Sequence, residues 1–166
     1  MRFISVGYLW ILLLMIQIPV PELSGQNSWC IAVHGGAGVM QRNKMTKAQE
    51  QEYIFHLDRA MTLGDSVLKN GGSSMDAAVI TVAYLEDCPM FNAGKGAVYT
   101  WNGKNELDAS VMNGATLQAG AVAGVRNIKN PVRAAQAVME HSGHVLLSGK
   151  GASRFARKEG LEMVSN

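Results

Sequence analysis

The chain has 166 residues and a formal charge of +2, enough for one hydrophobic core and too near neutral for a nucleic-acid-binding footprint. Charged residues make up 17%, below the usual quarter, and glycine is plentiful, which suggests a tightly packed protein or one partly covered by a partner. Two cysteines, Cys30 and Cys88, are too few for a disulfide framework, and neither a CxxC pair nor a Cys–His zinc spacing is present.

The first stretch stands apart from the rest. Arg2 precedes an apolar run over residues 6–18, broken only by Gly7 and Gln17 and followed by Pro19, Pro21 and Ser24-Gly25-Gln26-Asn27-Ser28. A basic start, a short apolar core and a small polar exit describe a secretory signal peptide over residues 1–25, cleaved near Gly25. The expected location is therefore periplasmic or extracellular. A retained membrane anchor is the competing reading, although the run is shorter than the roughly 20 residues that span a bilayer.

Trp29-Cys30-Ile31-Ala32-Val33 reads as a short buried strand ended by His34-Gly35-Gly36-Ala37-Gly38. Cys30 in that strand and Cys88 at a helix end are expected to be free buried thiols, with a disulfide formally possible. Thr46 with Gln49 has the form of a capping box, and Tyr53, Leu57, Ala60, Met61, Gly64, Val67 and Leu68 follow at helical spacing. Asn70-Gly71-Gly72 should stop that helix. A second helix is expected over residues 74–86 behind Ser73, apolar nearly all round and therefore buried. Pro89 ends it, and Phe91-Asn92-Ala93-Gly94-Lys95-Gly96 forms a glycine-rich loop.

The period then changes from helix to strand. Residues 97–101 and 107–112 read as two strands around Asn102-Gly103, a strong hairpin signal. Asn113-Gly114 marks another turn, and residues 117–125 make a third strand of small residues suited to close packing. Asn130-Pro131 opens a helix over residues 132–140 with a cap residue and proline at the first position. A brief strand at 144–147 and a helix at 153–158, ending at Gly160, complete the order. Lys150, Arg154, Arg157 and Lys158 are a tight basic group read as a solvated helix face. The sequence of elements predicts an α+β fold with an antiparallel meander rather than strict βαβ alternation.

Several chemistries are excluded by reading. Gly36-Ala37-Gly38 begins a GxGxxG pattern, but Gln41 interrupts it; Gly149-Lys150 is followed by Gly151 rather than the Ser or Thr of a P-loop. His34, His56, His141 and His144 share no metal-ligand spacing. His34-Gly35-Gly36 after a strand has the form of an esterase oxyanion loop, yet no serine lies in a G-x-S-x-G elbow.

Six segments in order give a positive match: Ile31-Ala32-Val33-His34-Gly35-Gly36-Ala37-Gly38, Cys88-Pro89-Met90-Phe91-Asn92-Ala93-Gly94-Lys95-Gly96, Glu106-Leu107-Asp108-Ala109-Ser110-Val111-Met112, Ala119-Gly120-Ala121-Val122-Ala123-Gly124-Val125, Asn130-Pro131-Val132-Arg133-Ala134-Ala135, and Val138-Met139-Glu140. Together they resemble the α-subunit half of the plant-type (threonine-type) asparaginases, the isoaspartyl peptidase branch of the glycosylasparaginase-like, N-terminal-nucleophile (Ntn) hydrolases. The resemblance spans Ile31 to about Val164, within an α-subunit portion placed at residues 29–166.

That resemblance implies the N-terminal half of a four-layer αββα sandwich. It implies a precursor that cuts itself at a Gly-Thr bond, and a new N-terminal threonine whose own amine activates its hydroxyl against L-asparagine or β-aspartyl peptides. Thr46, Thr62, Thr81, Thr100 and Thr116 all lack a preceding glycine, so no catalytic nucleophile is expected in this chain, which should be inactive alone. The companion β-subunit half and an (αβ)2 assembly are the implied partners, with a small-molecule or dipeptide substrate and no nucleic acid. His34, Gly35, Gly36 and Asn92 are the implied active-site supports; from the residues alone the glycines read equally as a plain turn, and Asn92 as a loop cap. Leu85, Glu86, Cys88, Phe91, Ala93 and Lys95 correspond to main-chain carbonyls of a sodium loop, the bland alternative being a tight loop after a proline-ended helix. No other cofactor is implied. A non-catalytic fragment or pseudoenzyme acting as a binding partner, and a glycosylasparaginase-type amidase, are the alternative functions.

Overall fold

The structure is a computed structural model describing residues 29–36 and 44–165; the expected signal peptide lies outside the described residues. Among the described residues no helix is long and apolar enough to cross a membrane.

Helix α1 (Lys47–Lys69) starts where the capping box places it. The Gln49 N–H donates to Thr46 Oγ1 at 3.2 Å, and the Thr46 N–H donates to Gln49 Oε1 at 2.9 Å. Two of the N–H groups that no helical carbonyl could accept are thereby satisfied, worth about 1 kcal/mol for such a cap. Helix α2 (Ser74–Asp87) repeats the device with Ser73 and Asp76. Its burial is one-sided: Met75, Ala77, Val79, Ala83 and Leu85 are covered, whereas Ala78 and Val82 are exposed. The expectation of an all-round buried helix therefore holds on one face.

Segment 29–36 is not a strand here, because no ladder partner for it exists among the described residues. It lies along α1 and α2, with Val33 packed into the cluster of Ala60, Leu85, Cys88 and Phe91. The Trp29 indole N–H donates to Asp65 at 3.2 Å. Cys30 and Cys88 are both free; Cys88 is buried as expected, and Cys30 is exposed, because Ile31 and Val33 take the inward side of the segment.

The sheet has the order β1-β2-β3, from β1 (Leu107–Met112), β2 (Ala119–Val125) and β3 (Leu146–Ser148). β1 and β2 are antiparallel with Ser110 opposite Ala121, and a bulge between Leu107 and Ala109 is held by the Asp108 carboxylate, which accepts the Gly124 N–H at 2.7 Å. Leu117, expected in β2, instead takes φ 60° in the turn before it. Residues 97–101 do not form the expected hairpin strand. Among the described residues the Tyr99–Asn105 bridge, with the Thr100 N–H donating to the Lys104 carbonyl at 2.7 Å, closes only a tight turn there, and β1 is an edge strand paired with β2. Val98, Tyr99 and Trp101 point outward, so their alternation reflects no core.

β2 and β3 are parallel, joined by α3 (Pro131–His141) as a β-α-β unit inside an otherwise antiparallel sheet. Helix α4 (Gly149–Lys158) follows β3 directly, earlier than expected, because Ala152 packs into the core and outweighs the poor propensity of Gly149 and Gly151. α3 and α4 cover one sheet face, enclosing Val122, Val125, Ile128, Ala134, Val138, Ala152 and Ala156. Gly120 sits where α3 comes closest: a Cβ there would lie 2.5 Å from the Met139 nitrogen and nearer still to the Ala135 carbonyl oxygen. Only glycine allows that approach. A second cluster of Met75, Val79, Ala83 and Val132 joins α2 to the sheet through Ala109 and Val111.

Among the described residues no helix packs on the opposite sheet face. Ala119, Ala121 and Ala123 are half-buried on it, flanked by exposed Ser110 and Met112 on β1 and Leu146 on β3. The result is an α+β layer pair, helices on one face of a small mixed sheet.

Candidate functional site

The loop after α2 is built on carbonyl oxygens. Gly94–Gly96 forms a single 3-10 turn that folds back on the end of α2. A Cβ at Gly94 (φ 48°) would collide with the Glu86 carbonyl group, and one at Gly96 would lie 2.5 Å from the Pro89 carbonyl oxygen and nearer to that of Phe91. Both positions exclude any side chain. The Leu85, Cys88, Phe91 and Ala93 carbonyls each accept an N–H within the turn, from Cys88, Phe91, Ala93 and Gly96 in that order. Each keeps a second lone pair.

Glu86 is the chemically unusual residue beside this loop. It is 4% exposed, yet carries a carboxyl group. Its Oε1 accepts the Val132 N–H at 3.0 Å, so a side chain on α2 caps the first turn of α3. Its Oε2 is buried and has no hydrogen-bond partner among the described residues. Burial pushes its pKa up to about 7, with the Val132 N–H opposing the rise. Asn130, expected to cap α3 itself, has been diverted: its amide donates to the Ala83 carbonyl at 3.3 Å and to Asp87 at 3.1 Å. The capping function of Glu86 could not be read from the sequence, because donor and acceptor lie 46 residues apart.

Glu86, Asn92, Gly94, Glu106 and Asp108 line one cleft of about 270 Å³. Asn92 is exposed there and its Oδ1 accepts the Val98 N–H at 2.9 Å, which is the loop-cap geometry. His34 and Gly36 are exposed and Gly35 half-buried on the segment beside α1 and α2. The Gly36 N–H donates to His34 Nδ1 at 3.1 Å, and Gly36 has φ 106°. His34 lines a different cleft, about 330 Å³, with Leu68, Ala78, Val82 and Leu85. Val33 and Phe91, the neighbours of His34 and Asn92, share one apolar cluster, so a common core anchors both segments while the two polar side chains open into separate clefts.

The donor set fits a small hard cation held by backbone oxygens. Gly94 and Gly96 let the loop backbone close onto the Glu86, Pro89 and Phe91 carbonyls, and the Glu86 carboxyl oxygen without a partner among the described residues is buried on the last turn of α2 beside it. Among the described residues no three His, Cys, Asp or Glu side chains are grouped to bind a metal, so a cation here would depend on main-chain carbonyls.

Comparison with known proteins agrees with the loop and strand motifs. The chain is 50% identical over 139 residues to an isoaspartyl peptidase of Salmonella typhimurium, covering 84% of this chain and 44% of that protein. It is 50% identical over 135 residues to an isoaspartyl peptidase of Escherichia coli (81% and 42%), and 47% identical over 132 residues to a plant-type L-asparaginase of Thermococcus kodakarensis (80% and 42%). The chain thus spans less than half the length of the curated relatives it matches. The sequence model of the family described as Asparaginase matches residues 27–166, and the chain belongs to that family.

Proposed function

We propose that this chain is the α-subunit part of an exported isoaspartyl peptidase/L-asparaginase, and that a companion β-subunit part supplies the nucleophile. The observation that carries this reading is the open sheet face. Helices cover one side, while the other presents the half-buried row Ala119, Ala121 and Ala123 between Met112 and Leu146. Small side chains at that face leave room for a second sheet packed at about 10 Å, the middle of an αββα sandwich. Segment 29–36, without a ladder partner among the described residues, offers its backbone groups to strands of the companion.

The chemistry follows from the residue types each part holds. No threonine here follows a glycine, so the threonine released by self-cleavage belongs to the companion. Its α-amine takes the hydroxyl proton as the oxygen attacks the side-chain amide or β-aspartyl carbonyl; ammonia or an amine leaves, and water releases aspartate from the acyl ester. His34, Gly35, Gly36 and Asn92 form the wall beside that nucleophile. The carbonyls of Leu85, Glu86, Cys88, Phe91, Ala93 and Lys95 hold a structural sodium ion, which stiffens the loop carrying Asn92. Substrate is a small β-aspartyl compound, and the working assembly is (αβ)2.

The test uses β-aspartyl dipeptide with two preparations. The precursor carrying both parts should split at one Gly-Thr bond, seen by mass spectrometry, and then release aspartate. Residues 29–166 alone should release none; turnover by this piece without its companion would end the proposal.

A further inference from the structure

The basic group near the end of the chain is exposed on α4 as expected, and three of its four residues also form one wall of a groove. Lys150, Arg154 and Arg157 line one side of α4, and Lys104 and Arg126 face them from the turn before β1 and the end of β2. The cavity between them is about 890 Å³. Arg126 is paired with Glu106, the one carboxylate that lines it. Lys104, Lys150, Arg154 and Arg157 make no ion pair or side-chain hydrogen bond among the described residues.

Glu106 offsets Arg126, whereas Lys104, Lys150, Arg154 and Arg157 bring positive charge to the groove for which the described residues supply no ion pair. The first turn of α4 adds to it. That turn contains no acidic residue, Ser148 gives it no side-chain cap, and Gly149 itself lines the groove, so the positive end of the helix dipole lies there as well. Such a field is neutralised when opposite charge enters, and charge complementarity selects the entrant.

The shape narrows the chemistry. Lys150 and Arg157 are seven residues apart on α4, about 10 Å along its axis. One phosphate would meet only part of that row. An extended peptide places alternate side chains on one face about 7 Å apart, so two or three carboxylates at alternate positions match it. No aromatic ring lines the groove, so a nucleic-acid strand would find no stacking platform. We propose that this groove binds an extended polypeptide segment with acidic residues at alternate positions. The inference does not depend on the hydrolase reading.

The experiment uses the full protein carrying this chain and a fluorescent octapeptide of alternating Glu and Ser, followed by anisotropy. Binding is expected at low salt and should weaken at about 0.3 M salt, where the Debye length is much shorter. Lys150→Gln combined with Arg154→Gln, both exposed, should weaken binding at least about tenfold. Lys47→Gln on α1 should leave it unchanged. Absence of peptide binding, equal weakening by Lys47→Gln, or tighter binding of a single-stranded oligonucleotide of the same charge would each overturn the assignment.

Discussion

Gly120→Ala tests whether the sheet and α3 are in backbone contact. The new methyl would stand 2.5 Å from the Met139 nitrogen and 2.7 Å from its Cβ, with the Ala135 carbonyl oxygen closer still. Ordinary contact between such atoms needs about 3.5 Å, so α3 must retreat by about 1 Å. None of these atoms is the flexible end of a side chain, so local rotamer changes offer no relief. A gap of that size forfeits a quarter to a half of each dispersion contact it opens, and Val138 and Ala134 on α3 are fully buried against Val122 and Val125. Overpacking commonly costs about 1–3 kcal/mol, and the backbone contact puts this case at the upper end.

Removing a glycine from a strand returns about 0.5–1 kcal/mol through unfolded-chain entropy, which leaves a net loss of about 2 kcal/mol. With a urea dependence of about 1–3 kcal/mol per molar, the unfolding midpoint should fall by about 1 M. Gly114→Ala is the control, since nothing lies within 4 Å of its Cβ position and it needs no left-handed backbone. Urea unfolding of the two variants, followed by circular dichroism, decides the matter. Equal midpoints would refute the close approach.

Glu86→Ala should destabilise the protein by about 1–3 kcal/mol, because the buried Val132 N–H loses its acceptor, while Glu86→Gln keeps one and should cost less. The raised carboxyl pKa also fixes a pH window. In sodium-free buffer its contribution is complete below about pH 4.5, declines as the pH rises, and has been lost above about 7; Glu86→Gln should flatten that slope in thermal melts, and an unchanged slope would dissociate it from Glu86. Sodium chloride should raise the melting temperature relative to choline chloride at equal ionic strength, with each tenfold rise in sodium above its dissociation constant adding about 1.4 kcal/mol; identical melts would remove the sodium assignment.

The sequence shows those features whose cause is local. Thr46 with Gln49, Ser73 with Asp76, and Asn130-Pro131 each mark a helix start within a few residues, and each helix begins there. Features whose cause is distant stay hidden. Asn130 looks like the cap of α3, but the α3 amide is met by Glu86 from another helix, and nothing near either residue signals the exchange. Residues 97–101 alternate like a strand, yet Val98, Tyr99 and Trp101 meet no core, and a single bridge to Asn105 pairs the segment among the described residues. The candidate site divides in the same way. Motif order singled out His34, Gly35, Gly36, Asn92 and the loop from Leu85 to Lys95 as candidates, whereas the buried carboxyl beside that loop and the groove along α4 needed the tertiary fold.

The exposed apolar residues fall into two groups with different physical meaning. Val98, Tyr99 and Trp101 protrude from a tight turn, where an added partner would bury side chains one at a time. Met112 and Leu146 instead border a flat row of alanines on β2, whose ladders to β1 and β3 are already made. A second sheet laid on that row would bury apolar area at about 25 cal/mol per Å² without disturbing any ladder, so its gain is not offset by broken hydrogen bonds. The same surface left in water holds few large side chains, which limits the cost of exposing it. Small residues on β2 therefore shape both faces: Gly120 admits α3 on one side, and Ala119, Ala121 and Ala123 keep the other flat.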